Sequence, residues 1–257
     1  MFMTQAEPGS DFSLADRTSN CPPSAETHSA IGQMFDRIAP RYALLNHILS
    51  FRQDFSWRRK LAQTLEKDRR IAVLDLATGT GDLMIAMLRK RANISKAVGL
   101  DISGNMLALC RKNVERANLS DRVTLIQGDA ARTGLSDGGF DVVTMAFGIR
   151  SIPDPAQALC EMYRLLRQGG TVLILEFSLP ANRIIRSLYL AYLRFVVPFV
   201  GCQVSGNKAA YRYLSTTIKT FAKSYDLPGL MQEAGFSNIS TKLLTLGTVS
   251  FYSACKP

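Results

Sequence analysis

Ile71-Ala-Val-Leu-Asp75-Leu-Ala-Thr-Gly79-Thr-Gly81-Asp82 is a short run of branched apolar residues that ends in two glycines and an acid. It opens directly onto Leu83–Arg91, where apolar residues recur at i, i+3 and i+4. The first texture is that of a strand buried on both faces, and the second that of one helix face. Glycines at 79 and 81 let the backbone turn tightly and let a ligand approach where a side chain would collide. Strand, glycine turn and helix together predict the opening unit of a doubly wound α/β sheet.

The same alternation continues outward. Lys96–Asp101, Val123–Gln127, Phe140–Phe147 and Gly170–Phe177 read as further buried strands, and Asn105–Ala117 and Pro155–Arg167 as helices between them. Right-handed crossovers then give a parallel sheet covered on both faces. The chain ends differently, with a helix at Leu227–Ala234 and strands at Asn238–Thr245 and Thr248–Cys255 joined at Leu246-Gly247. The expected fold is a seven-stranded, mostly parallel, Rossmann-like sheet with one antiparallel member.

Composition fits that picture. The chain has 257 residues, 47% hydrophobic and 20% charged, which excludes a disordered, collagen-like or disulfide-stapled protein. Five scattered cysteines read as reduced cytosolic thiols, with neither a disulfide framework nor a metal site. The net charge is +10, and residues 1–30 carry four acids and one base, so the remainder is near +13. A basic surface suits nucleic acid or an anionic membrane face equally. Residues 1–29 lack apolar periodicity and read as a disordered tail without the pattern of a secretory signal. Ile184–Val200 is the most apolar stretch, but Arg186, Arg194 and Pro198 interrupt it, which argues against a membrane span.

Asp101 ends the second strand, 20 residues beyond Gly81, where a carboxylate can accept from both hydroxyls of a ribose. Asp129 ends the third strand beside the same crevice. The cofactor set is therefore Gly79, Thr80, Gly81, Asp101, Asp129 and Ala130. A nicotinamide dinucleotide and S-adenosylmethionine both fit an acid at position 101. The dinucleotide pattern needs a third small residue, and that place holds Met84. Asp75 and Asp82 would also repel a pyrophosphate but tolerate a sulfonium cation. The balance favours S-adenosylmethionine over an NAD(P)-binding oxidoreductase.

Four segments resemble the ubiquinone/menaquinone biosynthesis C-methyltransferase family, a likeness running from about Phe35 to the C terminus. They are Met34–Ser50 closing with Trp57, the glycine turn Val73–Asp82, Phe147-Gly-Ile-Arg150-Ser-Ile-Pro-Asp154, and Tyr163–Ser178; Tyr211-Arg-Tyr-Leu214 looks like the family's late motif. The chain departs from the family at Ala43 (usually Asp), Asp54 (usually His), Ala146 (usually Ser) and Arg167-Gln168 (usually Lys-Pro). The resemblance implies the class I S-adenosylmethionine methyltransferase fold in one domain, residues 30–257. Within it, 30–66 form an N-terminal substrate-side segment and 180–225 a helical lid. It implies methylation of a ring carbon of a polyprenyl quinol, demethylmenaquinol or a benzoquinol, in the cytoplasm.

That chemistry needs a phenolate and alignment rather than a covalent nucleophile. Arg150, following strand four at the crevice mouth, is expected to stabilise the phenolate. Tyr42 and Asn46, at i and i+4, share a helix face and would orient the quinol oxygens. Tyr189, Tyr192, Phe195 and Phe199 form an aromatic stripe suited to an isoprenoid tail, and Arg183, Arg186 and Arg194 beside it suit peripheral contact with anionic lipid. A homodimer is compatible with this reading. Nucleic acid is not the expected partner, because the basic residues are dispersed and no Asn/Asp-Pro-Pro-aromatic turn follows strand four. A methyltransferase acting on oxygen or nitrogen of another amphiphile is the alternative.

Overall fold

The computed structural model describes residues 32–36, 39, 45–91, 93–205 and 208–257, with backbone alone at 204, 205 and 208–213. The expected tail, residues 1–29, and Tyr42 lie outside the described residues. Strands β1 (Ile71–Leu76), β2 (Ile94–Asp101), β3 (Val123–Gln127), β4 (Phe140–Ala146), β5 (Leu166–Phe177), β6 (Ser237–Leu244) and β7 (Val249–Cys255) form one sheet in the order β3-β2-β1-β4-β5-β7-β6. Strand β7 runs antiparallel to both its neighbours, and the other pairs are parallel. This is the doubly wound sheet the alternation predicts.

Helices α1 (Gln53–Thr64), α2 (Asp82–Lys90), α3 (Gly104–Arg116), α4 (Pro155–Leu165), α5 (Arg183–Ala191), α6 (Val197–Ser205), α7 (Lys208–Ser224) and α8 (Leu227–Glu233) connect and cover the strands. Their starts are written locally. Ser103 accepts from the Met106 N–H, Asp154 accepts from that of Gln157 with Pro155 at the first helical position, and Asn182 accepts from those of Ile184 and Ile185. Helix α4 stops two residues before the predicted Arg167, because Leu166 is extended and pairs with Phe140 of β4.

All six residues of β1 are buried, so both faces need a cover. Trp57 and Leu61 of α1, Met87 of α2 and Val114 of α3 close one face; Leu159, Met162, Phe221 and Met231 close the other. Each such side chain contributes about 1.5–3 kcal/mol on leaving water. A third cluster, Leu45, Met106, Leu193, Val197 and Ile218, fastens the helices after β5 over the carboxyl edge of the sheet.

Those helices correct two expectations. Arg183–Gln203 is one continuous 21-residue helical run, long and apolar enough by length and composition to cross a membrane, with 17% of its apolar window buried. Arg194 and Pro198 do not break it. A π turn at Tyr192–Val196 absorbs the proline, whose ring would clash with the carbonyl four residues back. The aromatic stripe also divides. Tyr189 and Tyr192 face inward, whereas Phe195 and Phe199 join Ile184 and Leu188 on an exposed face at 63–73% exposure. The wider turn changes the helical rotation between the two pairs.

Candidate active site

Strand order reverses between β1 and β4, and ligands of open α/β sheets bind beyond the carboxyl ends at that point. A cleft enclosing about 990 Å³, partly open to solvent, lies there. Gly79, Thr80, Asp101, Asp129 and Ala130 all line it, as does Asn46. Thr80 is buried, its hydroxyl donating to Asp82 Oδ2 at 3.0 Å and its carbonyl accepting from Asn113.

The two glycines do different work. Gly79 sits at φ +57°, and a Cβ placed on it would meet nothing within 4 Å, so its backbone faces open cleft. Gly81, at φ +83°, does not line the cleft; a Cβ there would lie 2.5 Å from Cys110 Sγ. Gly81 therefore lets α2 and α3 pack closely and, unlike Gly79, is not part of the cleft lining. Gly99 of β2 makes room for Met84, whose methyl would lie 3.2 Å from a Cβ at 99. The small residue missing from position 84 is supplied by the strand instead.

Asp101 ties the turn together. Its Oδ2 accepts from Gly79 N–H at 2.7 Å and its Oδ1 from Ser103 N–H at 2.9 Å, and burial pushes its carboxyl above the ordinary range. Asp75, fully enclosed, accepts from Thr78 and Thr144 hydroxyls at 2.7 and 2.6 Å, and burial pushes it up to about 6. Ala77 and Phe147, each one residue past β1 and β4, adopt φ of 51° and 60°. Left-handed backbone costs a non-glycine residue of order 1–2 kcal/mol, and such strain collects at functional sites. Phe35 closes the cleft from the N-terminal side, where Asp36 accepts from the Ser103 hydroxyl and the Asn105 N–H at the start of α3.

A second cavity of about 1030 Å³ adjoins the cleft, its wall largely apolar: Leu49, Trp57, Phe177, Leu193, Val197 and Ile218 among others. The two share Asn46, Arg58 and Phe147. Arg58, buried, bonds Asp54, lies 3.7 Å from Asp82, and sits 5.8 Å above the Phe147 ring. Asp54 Oδ1 also accepts from the Ser50 hydroxyl at 2.8 Å, and its Oδ2 lies 2.6 Å from His47 Nδ1. Burial opposes its charge, but Ser50, Arg58 and His47 outweigh that and hold the carboxyl below its ordinary range.

Arg150 is not at the mouth. Its guanidinium is buried, bonds Glu176 at 2.9 Å and the Phe147 carbonyl, lies 5.2 Å from the Phe177 ring, and lines neither cavity. The three-residue helical turn after β4 carries it inward toward Glu176. Arg58, by contrast, lines both cavities. The one sequence signal for it is an Asp54–Arg58 pair at i, i+4, which foretells an ion pair but not which space it faces.

A model of the ubiE/COQ5 methyltransferase family matches residues 24–256. The demethylmenaquinone methyltransferase of Thermus thermophilus is 41% identical over 224 residues, 87% of this chain and 100% of that protein. The ubiquinone/menaquinone biosynthesis C-methyltransferase UbiE of Geotalea daltonii is 36% identical over 231 residues, 90% and 98% of the two chains. Among solved structures, a SAM-dependent methyltransferase from Thermotoga maritima matches with TM-score 0.59 and 20% identity, over 88% of this chain and 100% of that one, a likeness of fold.

Proposed function

The chain belongs to the ubiE/COQ5 methyltransferase family, and from that premise we propose that it methylates a ring carbon of a polyprenyl quinol, converting demethylmenaquinol to menaquinol. The observation that carries this reading is the meeting of two unlike cavities at Asn46, Arg58 and Phe147. One is the more polar, its wall including four carboxylates and an open glycine backbone, and the other is almost wholly apolar.

The polar cleft suits S-adenosylmethionine, which when bound supplies an electrophilic methyl on a sulfonium. Asp101 would accept the ribose hydroxyls, the Gly79 backbone would lie against the ligand, and Asp75 and Asp129 would balance its positive charge. On the other side, a quinol ring at the junction places its oxygen within the field of Arg58. A buried guanidinium stabilises a developing phenolate, and with it the electron density on the neighbouring carbon. Asn46 orients a quinol oxygen, and Tyr42 has the same role in the proposal. Arg150 acts through others: it holds the Phe147 carbonyl, and its charge acts on Tyr189 of the chamber wall. Alignment of carbon, methyl and sulfur supplies about 7–11 kcal/mol of the barrier. The apolar chamber takes the first isoprenoid units, each buried CH₂ worth about 0.8 kcal/mol.

The exposed face of Ile184, Leu188, Phe195 and Phe199, flanked by Arg183 and Arg194, is proposed to rest on an anionic membrane surface from the cytoplasmic side, where such a substrate resides. Methyl transfer from labelled S-adenosylmethionine to reduced and oxidised demethylnaphthoquinone tests the reaction. Transfer to the reduced form alone is expected, and equal rates on both would sink the phenolate step. Flotation with anionic and zwitterionic vesicles tests the surface, with retention expected on the anionic ones only.

A further inference from the structure

Replacing a ring hydrogen by methyl releases one proton for each methyl transferred: the quinol loses H⁺ overall while the sulfonium becomes a neutral thioether. That proton must leave a mostly apolar chamber, whose wall offers few groups to carry it. Ser50 and Asp54 both line the chamber, and the Ser50 hydroxyl donates to Asp54 Oδ1 at 2.8 Å. Asp54 Oδ2 lies 2.6 Å from His47 Nδ1. The His47 ring lines neither cavity and is 22% exposed, against 3% for Asp54, so its free edge faces outside water.

We propose that Ser50, Asp54 and His47 form the path by which the proton leaves, resting on the quinol-methylating reading above. The quinol O–H bond breaks as its proton passes to the Ser50 oxygen, whose own proton moves to the Asp54 carboxyl. The Asp54 O–H bond then breaks as that proton passes to the bare Nδ1 of His47, and the imidazolium so formed gives its Nε2 proton to water. The electron pair left on the quinol oxygen feeds the ring carbon that takes the methyl. The ring proton displaced there restores the hydroxyl, so the sum is one proton out. Asp54 is one of the positions where this chain departs from its family's usual residue, and the imidazole stands seven residues earlier, at His47.

The groups around the path fix its charge. From its own turn and α1, His47 faces Asp54, stacks on Phe55 at 4.4 Å, and has Arg52 beyond that ring. Arg58 bonds the same Asp54 oxygen, Oδ2, that His47 approaches, and reaches toward Asp82 of α2. From the π turn, Tyr192 donates to the Leu49 carbonyl. Asp54, flanked by Arg58, Ser50 and His47, is therefore ionised at rest.

The test compares the full chain with His47→Ala and Ser50→Ala, using reduced demethylnaphthoquinone and S-adenosylmethionine. Each variant is expected to lose roughly ten- to a hundredfold in kcat, with the melting shift given by S-adenosylhomocysteine unchanged. Added imidazole is expected to restore His47→Ala several-fold and leave Ser50→Ala unrestored. A readout without turnover uses an unreactive naphthol: absorbance gives the ionised fraction of the bound phenol, and its midpoint should rise by about one pH unit in His47→Ala, equivalent to tenfold. A His47→Ala enzyme within twofold of wild type, or one slowed but unrestored by imidazole, overturns the path. A wild-type enzyme that binds S-adenosylhomocysteine yet methylates no quinol instead overturns the reading on which the path rests.

Discussion

The two cavities are built in opposite ways. The cleft is assembled from the ends of four neighbouring strands, β3, β2, β1 and β4, and its key carboxylate is tied to backbone: Asp101 to the N–H groups of Gly79 and Ser103. The apolar chamber is assembled from side chains distant in sequence, with Trp57 reaching Thr245 and Tyr192 reaching Leu49, at separations of 188 and 143 residues. A site for a constant donor can be set by backbone geometry, which any sequence that makes the turn reproduces. A site for a variable acceptor is set by side chains, which can change without disturbing the sheet.

The seam between the two is where substitution should hurt most. Arg150 and Glu176 are both buried and paired, so Arg150→Met leaves an uncompensated carboxylate at a cost of about 3–5 kcal/mol. For a chain of this size that is a melting point lower by roughly 6–20 °C. Adding Glu176→Leu should recover most of it, since removing both charges leaves none unpaired. A single variant that melts like wild type would show that the pair is not the structural join between the cavities.

Next in size comes the donor side. A ligand at a hundred times its dissociation constant stabilises by ~2.7 kcal/mol, which here means a melting shift of roughly 5–10 °C. Asp101→Ala should erase the shift given by S-adenosylhomocysteine, because it removes both the ribose acceptor and the brace on Gly79. NAD should give no shift with either protein. A shift retained in Asp101→Ala would break the idea that backbone-tied carboxylate chemistry defines this half.

Asp75 sharpens the comparison by pH. Its folded carboxyl titrates near 6, above the ordinary value of 3.8, because burial disfavours its charge. The native state therefore binds the extra proton between about pH 4 and 6, and stability falls as pH rises through that window. Asp75→Asn should melt a few degrees above wild type at pH 8, the gain fading toward pH 4. The same change should weaken binding of S-adenosylmethionine, whose sulfonium is positive, at pH 8, a trade of stability for function. A gain independent of pH would mean that packing, not charge, sets the difference.

This contrast also governs how much could be read from the residues. The strands from Ile71 to Phe177 and the closing hairpin are legible because period and turn chemistry are local, and so is the placement of Asp101 at the end of the second strand, whereas its bond to the Gly79 N–H is not. The inward turn of Arg150 is not legible, since it depends on Glu176 waiting on the adjacent strand. Nor is the division of the aromatic stripe, which hangs on how the helix absorbs Pro198. The left-handed backbone at Ala77 and Phe147 carries no sequence signal at all, since neither is glycine. Arg58 announces an ion pair with Asp54, yet its place between two cavities depends on how α1 docks on α2.

The smallest effect should fall on the acceptor side alone. Tyr192 donates to the Leu49 carbonyl at 2.7 Å, fastening the helical run after β5 to the helical segment at 45–49 that carries Asn46. Tyr192→Phe keeps the ring and its apolar contacts but removes that bond, worth about 1 kcal/mol. That segment then holds Asn46 less firmly, so the quinol KM should rise about fivefold, the same energy expressed as binding. The polar cleft shares Asn46 but draws its shape from the strand ends, so the S-adenosylhomocysteine shift should not move. Titrating quinol at saturating donor, with the melting shift measured on the same preparation, separates the two. A fall in both would mean that the chamber and the cleft are one mechanical unit, and that the backbone-built half depends on its side-chain-built neighbour after all.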